Sequence, residues 1–251
     1  MRGSGDGQLM GLLRKESGGA RTKRSGWLVP AVVFLATASL SALTLGYFVA
    51  PEVPRLSEEQ PAPTDATRPI ALTIGTASFR IPSNYILLAS ERRGGAMQKV
   101  ALVGLLPDLR GYVLTAAQEL TANAPDSHVV NLMLRSGEPL LPEQDRLSRI
   151  YQAQVENPNG QPGPYGLRQY RFRADSGYHD QDLFLGAGEA GPVVLLCTKL
   201  TAEIPSPSCL RDTPLADGLS LSYRFKRAHL AQWRDIDMRI RALIAGFRQK
   251  A

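Results

Sequence analysis

Three hydrophobic periods divide this chain. The first is a solid block. Trp27–Ala50 runs for 24 residues without a charged side chain. At ~1.5 Å per residue a helix of that length spans roughly 36 Å, enough for a hydrocarbon core of about 30 Å. Val32, Val33, Phe34, Leu35, Leu40, Leu43, Leu45, Phe48 and Val49 supply apolar surface, and Trp27 and Tyr47 stand near the two ends, where amphipathic rings favour the headgroup zone. Pro30 falls in the first turn, where a missing N–H does no harm. The expectation is a transmembrane helix over 27–50.

The second period is two, the period of strands. Ile70–Gly75 and Ala77–Ile81 flank Gly75-Thr76 as a hairpin, and Lys99–Leu106, Val129–Arg135 and Val193–Lys199 are apolar enough for strands buried on both faces. Tyr165–Arg173 sets Tyr170 and Phe172 against Arg171 and Arg173. In Leu219–Lys226, Leu219, Leu221, Tyr223 and Phe225 alternate with Ser220, Ser222, Arg224 and Lys226.

The third period is helical. From Arg227 to Gln249 the apolar positions Leu230, Trp233, Ile236 (or Met238), Ile240, Leu243, Ile244 and Phe247 follow 3–4 spacing, which predicts a long C-terminal helix with one buried stripe. Arg227, Arg234, Arg241 and Arg248 recur every seven residues, which places them on one outer face, and Asp237→Arg241 is a favourable i,i+4 pair. A shorter helix is expected near Pro142–Ala153. The fold class is therefore α+β: a transmembrane helix, then a mostly antiparallel sheet closed by a long C-terminal helix. Between anchor and domain, residues 51–69 hold five prolines and read as an extended linker. The folded domain is expected over 70–251, and residues 1–26, with seven glycines, as a disordered tail.

Charge changes the picture by orienting it. The formal net charge is +6, but residues 1–26 carry six basic and two acidic residues, leaving 23 basic and 21 acidic beyond them. The basic excess before the apolar block keeps the N-terminus cytoplasmic and sends the rest across. With the charge explained by topology, nucleic acid is not expected as a partner. Arg outnumbers Lys 23 to 6, a bias of GC-rich bacterial genomes. The address expected is the bacterial inner membrane, single-pass, with a periplasmic domain. Ala36-Thr37-Ala38 offers a small-x-small cleavage pattern, but the apolar run continues a further dozen residues, which favours an uncleaved signal anchor. Cys197 and Cys209, both beyond the anchor, are expected to pair as a disulfide in an oxidising compartment.

Candidate chemistry is sparse. Gly186-Ala187-Gly188-Glu189-Ala190-Gly191 matches G-x-G-x-x-G, but Pro192 and an apolar strand follow it, whereas a dinucleotide loop must open a helix. It reads as a loop between two strands. Tyr178-His179-Asp180-Gln181-Asp182 gathers an imidazole and carboxylates, so His179, Asp180 and Asp182 are the candidates for a metal or acid–base site, against the plainer reading of a polar surface turn. His128 and His229 are isolated in sequence. No G-x-S-x-G, H-E-x-x-H, P-loop or S-x-x-K occurs, and no cofactor is expected. The candidate surface for an anionic partner is basic: Arg171, Arg173, Arg224 and Lys226 on two strands, with Arg234 and Arg241 on the last helix.

Phe79-Arg80-Ile81-Pro82-Ser83-Asn84-Tyr85 with Glu91-Arg92-Arg93-Gly94-Gly95 resembles a pattern of uncharacterised single-anchor envelope proteins of proteobacteria. So does Cys209 followed by Leu219–Phe225 and Leu230-Ala231-Gln232-Trp233. An opening hairpin with an Ile-Pro turn and a helix closing on Leu243-Ile244-Ala245-Gly246-Phe247 is similar to PsbP-like α+β domains. The resemblance implies a non-catalytic accessory module and carries no catalytic residue. The function expected is a binding, scaffold, accessory or immunity-type protein of the cell envelope, the alternative being a periplasmic hydrolase or metal-dependent enzyme using His179, Asp180 and Asp182.

Overall fold

The computed structural model describes residues 26–49, 59–137, 140–189 and 191–249, so the tail reading for residues 1–26 lies almost entirely outside it. The chain forms two units, divided after Glu58.

Among its described residues the first contains one helix, α1 (Leu28–Val49). Its described apolar side chains are exposed, Val29, Phe34 and Leu43 by 72, 71 and 72%. Among the residues described in full, which omit the side chains of Leu28 and 45–49, no helix is long and apolar enough to cross a membrane.

The second unit, Glu59–Ala251, begins ten residues before the expected end of the linker. Residues 59–68 are extended and held against the domain. The Ala62 N–H donates to Leu87 O, the Ser83 hydroxyl to Ala66 O, and the Ser90 N–H to the Glu59 carboxylate at 2.8 Å.

Eleven strands follow in two sheets among the described residues. The strands β1 (Pro69–Ile74) and β2 (Ala77–Pro82) form the expected hairpin around Gly75, whose φ of +60° suits a glycine. Parallel to β1 lies β3 (Gly95–Met97). The larger sheet is antiparallel throughout. In spatial order it comprises β4 (Lys99–Leu105), β5 (Val129–Ser136), β11 (Leu219–Lys226), β10 (Ser208–Pro214), β9 (Gly191–Thr198), β8 (Gln181–Gly188), β7 (Arg168–Arg171) and β6 (Gln161–Pro162).

One face of this sheet is the main core. Leu102, Leu132, Leu221, Tyr223, Phe225, Leu195 and Phe184 point there and meet Leu72, Phe79 and Ile81 of the small sheet. The closing helix α4 (Trp233–Phe247) lays Trp233, Ile236, Ile240, Ile244 and Phe247 on the same core, and Met238 is exposed. The buried stripe is as expected, but the helix starts later: Arg227–Gln232 is a tighter 3₁₀ segment.

Among the described residues the opposite, outer face is covered at its two ends only. Over the β7–β9 end lies α3 (Glu143–Arg146), which runs on through irregular turns to Gln154. Tyr151 and Val155 of this flap pack on Tyr170, Phe172, Leu183 and Val194. At the other end Tyr112, Ala116 and Leu120, around α2 (Ala117–Ala122), cover Val103, Leu105 and Val129. This second flap is what buries β4 on both faces, although β4 is the edge strand.

The glycine motif is a hairpin. Gly188 pairs with Gly191 across the β8–β9 turn. A Cβ on Gly186 would lie 2.5 Å from the Trp233 ring, and Gly191 has φ of +117°. Close packing and turn geometry account for these glycines without any phosphate.

Candidate functional site

Between the two flaps the outer face is open. Its floor follows from strand register, because directly paired residues share a face. Ala101 pairs with Met133, Met133 with Ser222, and Ser222 with Asp212. The neighbouring row runs Asn131, Arg224, Leu210 and Leu196, and the row on the other side pairs Lys99 with Arg135 and Arg135 with Ser220. Leu87 closes one side. The result is a trough of about 350 Å³. The Arg135 guanidinium donates to the Ser222 hydroxyl at 2.7 Å, and that hydroxyl donates to the Asp212 carboxylate. Behind the wall, buried Arg146 donates to the Asp212 main-chain oxygen, and its Nε has no hydrogen-bond partner.

Of the basic residues expected to form one surface, Arg224 alone lines this trough. Arg171 pairs with Asp182, Asp182 with Cys197, Cys197 with Cys209 and Cys209 with Phe225, so Arg171 belongs to the core-side face. Three strands separate β7 from β11, roughly 19 Å at ~4.8 Å per step. Arg173 pairs with Asp175 at 3.1 Å. Lys226 is buried beneath the second flap, donating to Asn123 and to Ser206 Oγ at 2.7 Å, and burial lowers its pKa. The heptad arginines scatter too. Arg227 pairs with Asp182 at 2.7 Å, Arg234 stacks on Trp233, Arg241 pairs with Asp237 at 3.1 Å, and Arg248 meets Asp217.

The candidate acid–base cluster also separates. Asp182 is buried and committed to Arg227, while His179 and Asp180 are exposed in the preceding turn, with His179 Nδ1 3.0 Å from Ser176 O. Among the described residues no group of three His, Cys, Asp or Glu side chains is arranged to hold a metal. Folding instead joins the other two histidines: the His128 and His229 rings lie 5.2 Å apart, and His128 Nδ1 is 2.9 Å from Glu119.

The densest polar cluster lies in the core. The β9 and β10 strands pair only at Cys197–Cys209 and Leu196–Leu210, and then part. The Glu143 carboxylate occupies the opening. It accepts two hydrogen bonds from Arg211, both at 2.7 Å, one from the Val194 N–H at 3.1 Å and one from Thr213 Oγ1 at 3.1 Å. Arg211 also pairs with Asp237, which accepts from Tyr223 Oη at 3.1 Å. Burial works against the Arg211 charge, but the bonds to Glu143 and the charges around it outweigh that and raise its pKa. Burial likewise raises that of Tyr223. Every group here is used by another. The cluster closes the seam. Cys197 and Cys209 form the expected disulfide at the paired end of the seam.

Fold and trough together define an α+β domain with an open, flap-flanked sheet face. The solved structures similar to it include Smlt3025, an immunity protein of the Stenotrophomonas maltophilia type IV secretion system, at TM-score 0.54 and 19% identity, covering 73% of this chain and 94% of that one. The Neisseria meningitidis iron-regulated outer membrane lipoprotein FrpD is similar at TM-score 0.49 and 13% identity, covering 76% and 97%. No protein-family model matches the chain, and no curated protein does.

Proposed function

We propose that this protein is a non-catalytic binding protein of the bacterial cell envelope, of the immunity type, which neutralises another protein by occupying it. Residues 27–50 serve as its inner-membrane anchor, with residues 1–26 cytoplasmic and the α+β domain periplasmic. The observation that carries the reading is the open outer face: an ordered sheet surface left bare between two flaps, in a fold shared over 94% of a solved immunity protein. Support for the address comes from the uncharged run of 27–50, the basic residues before it, and a disulfide that persists in an oxidising compartment. The hydrolase alternative receives no support from His179, Asp180 and Asp182, which do not converge.

The test is survival. A strain lacking the protein is grown in contact with neighbours that deliver antibacterial effectors. Its viability should fall and be restored by the full chain, including a His179→Ala version. Equal survival with and without the protein refutes the immunity role.

A further inference from the structure

We infer that the trough receives an extended acidic segment of the partner, with two carboxylates two residues apart. This rests on the binding reading above and gives that site a ligand chemistry.

Cations come first. Lys99 and Arg135 are both exposed and directly opposite across β4 and β5, a like-charge pairing that costs stability in an isolated sheet. Arg224 is exposed two residues along β11 from Ser222. None of the three has a carboxylate partner among the described residues. The one acidic side chain in the trough, Asp212, is held by the Ser222 hydroxyl, and buried Arg146 adds a positive charge behind it. The surface is therefore built to accept anions.

Spacing then selects the anion. Arg135 pairs with Ser220, four residues from Arg224 in register, but its guanidinium reaches Ser222 Oγ at 2.7 Å, so its charge sits over the Ser222 row, two residues from Arg224 and roughly 7 Å away along the strand. An extended peptide matches: its side chains repeat on one face every second residue, so carboxylates at i and i+2 meet the two arginines.

The probe is a fluorescein-labelled peptide, Thr-Thr-Glu-Thr-Glu-Thr-Thr, titrated by fluorescence anisotropy into the full chain in detergent micelles. Saturable, salt-sensitive binding is expected, weakened by about tenfold or more in R135Q/R224Q. It should be retained in R135K and in R171Q, and weakened when the two Glu are made adjacent. No binding to the wild type, equal binding by R135Q/R224Q, or indifference to Glu spacing overturns the inference. So does a preference of the two arginines for phosphatidylglycerol vesicles over the peptide. An unchanged thermal midpoint in R135Q/R224Q separates loss of binding from loss of fold. The survival assay separates this inference from the immunity reading. Full protection by R135Q/R224Q refutes the trough and spares the immunity role, while arginine-dependent peptide binding in a protein that protects nothing does the reverse.

Discussion

Arg211 is 1% exposed, the largest fully buried side chain among the described residues, and its charge is tolerable only because Glu143 and Asp237 both meet it. Removing one partner leaves a buried guanidinium short of its counter-charge, which costs about 3–5 kcal/mol in comparable sites. Glu143→Ala should therefore lower stability by an amount of that order in urea titration, and the Val194 N–H loses its acceptor in the same step. A loss below ~1 kcal/mol would show that water readily enters the seam. Nothing in the local sequence singles out Arg211 or Glu143, because charged residues are ordinarily read as surface. Asp237 was legible only as an i,i+4 partner of Arg241, a pairing that the structure contains but makes secondary to Arg211.

Among the elements, β4 joins the apolar pattern of a central strand to the position of an edge. The two agree because other groups cover the edge: Leu87 N–H donates to Ala101 O, and the buried Glu91 carboxylate accepts the Ala101 N–H at 2.9 Å. That burial raises the Glu91 pKa. The flap over β4 is tied in the opposite electrostatic sense. Glu119 on α2 accepts from the His128 N–H and lies against its ring, and those hydrogen bonds lower its pKa below the ordinary 4.5. A carboxylate with a depressed folded pKa contributes stability above its unfolded value, and loses it as pH falls through the folded one. Wild type should thus exceed Glu119→Gln by about 0.5–1 kcal/mol at pH 7. The gap should close as pH drops below 4.5. A gap independent of pH would mean that the tie is not carried by the carboxylate charge.

For the whole molecule the decisive feature is the seam between β9 and β10. The eight-stranded sheet is continuous there through two residue pairs and the disulfide, backed by the Glu143–Arg211 cluster where the strands part. The bridge closes a loop of sequence separation 12, which on chain entropy is worth ~3 kcal/mol. Reduction, or Cys197→Ala with Cys209→Ala, should lower the urea midpoint accordingly while the fold persists at 25 °C. An unchanged midpoint would assign the seam wholly to the buried ion cluster.

Sequence alone determined whatever depends on neighbours two to four residues apart. The uncharged block of 27–50, the β1–β2 hairpin around Gly75, the alternating strand Leu219–Lys226 and the stripe Trp233–Phe247 all follow from side-chain periodicity, which a local window contains. The pairing of two cysteines followed from composition and compartment. What the window lacks is strand order and the identity of each face. Arg171 and Arg224 read alike, yet strand pairing places one on the core side and the other in the trough, four strands away. Arg135, Ser222 and Asp212 come from three strands whose adjacency is a long-range choice. Tertiary structure alone decided the open face, because a β-sheet is assembled from hydrogen bonds between segments remote in sequence, and its bare surface exists only once the two flaps have settled on its ends.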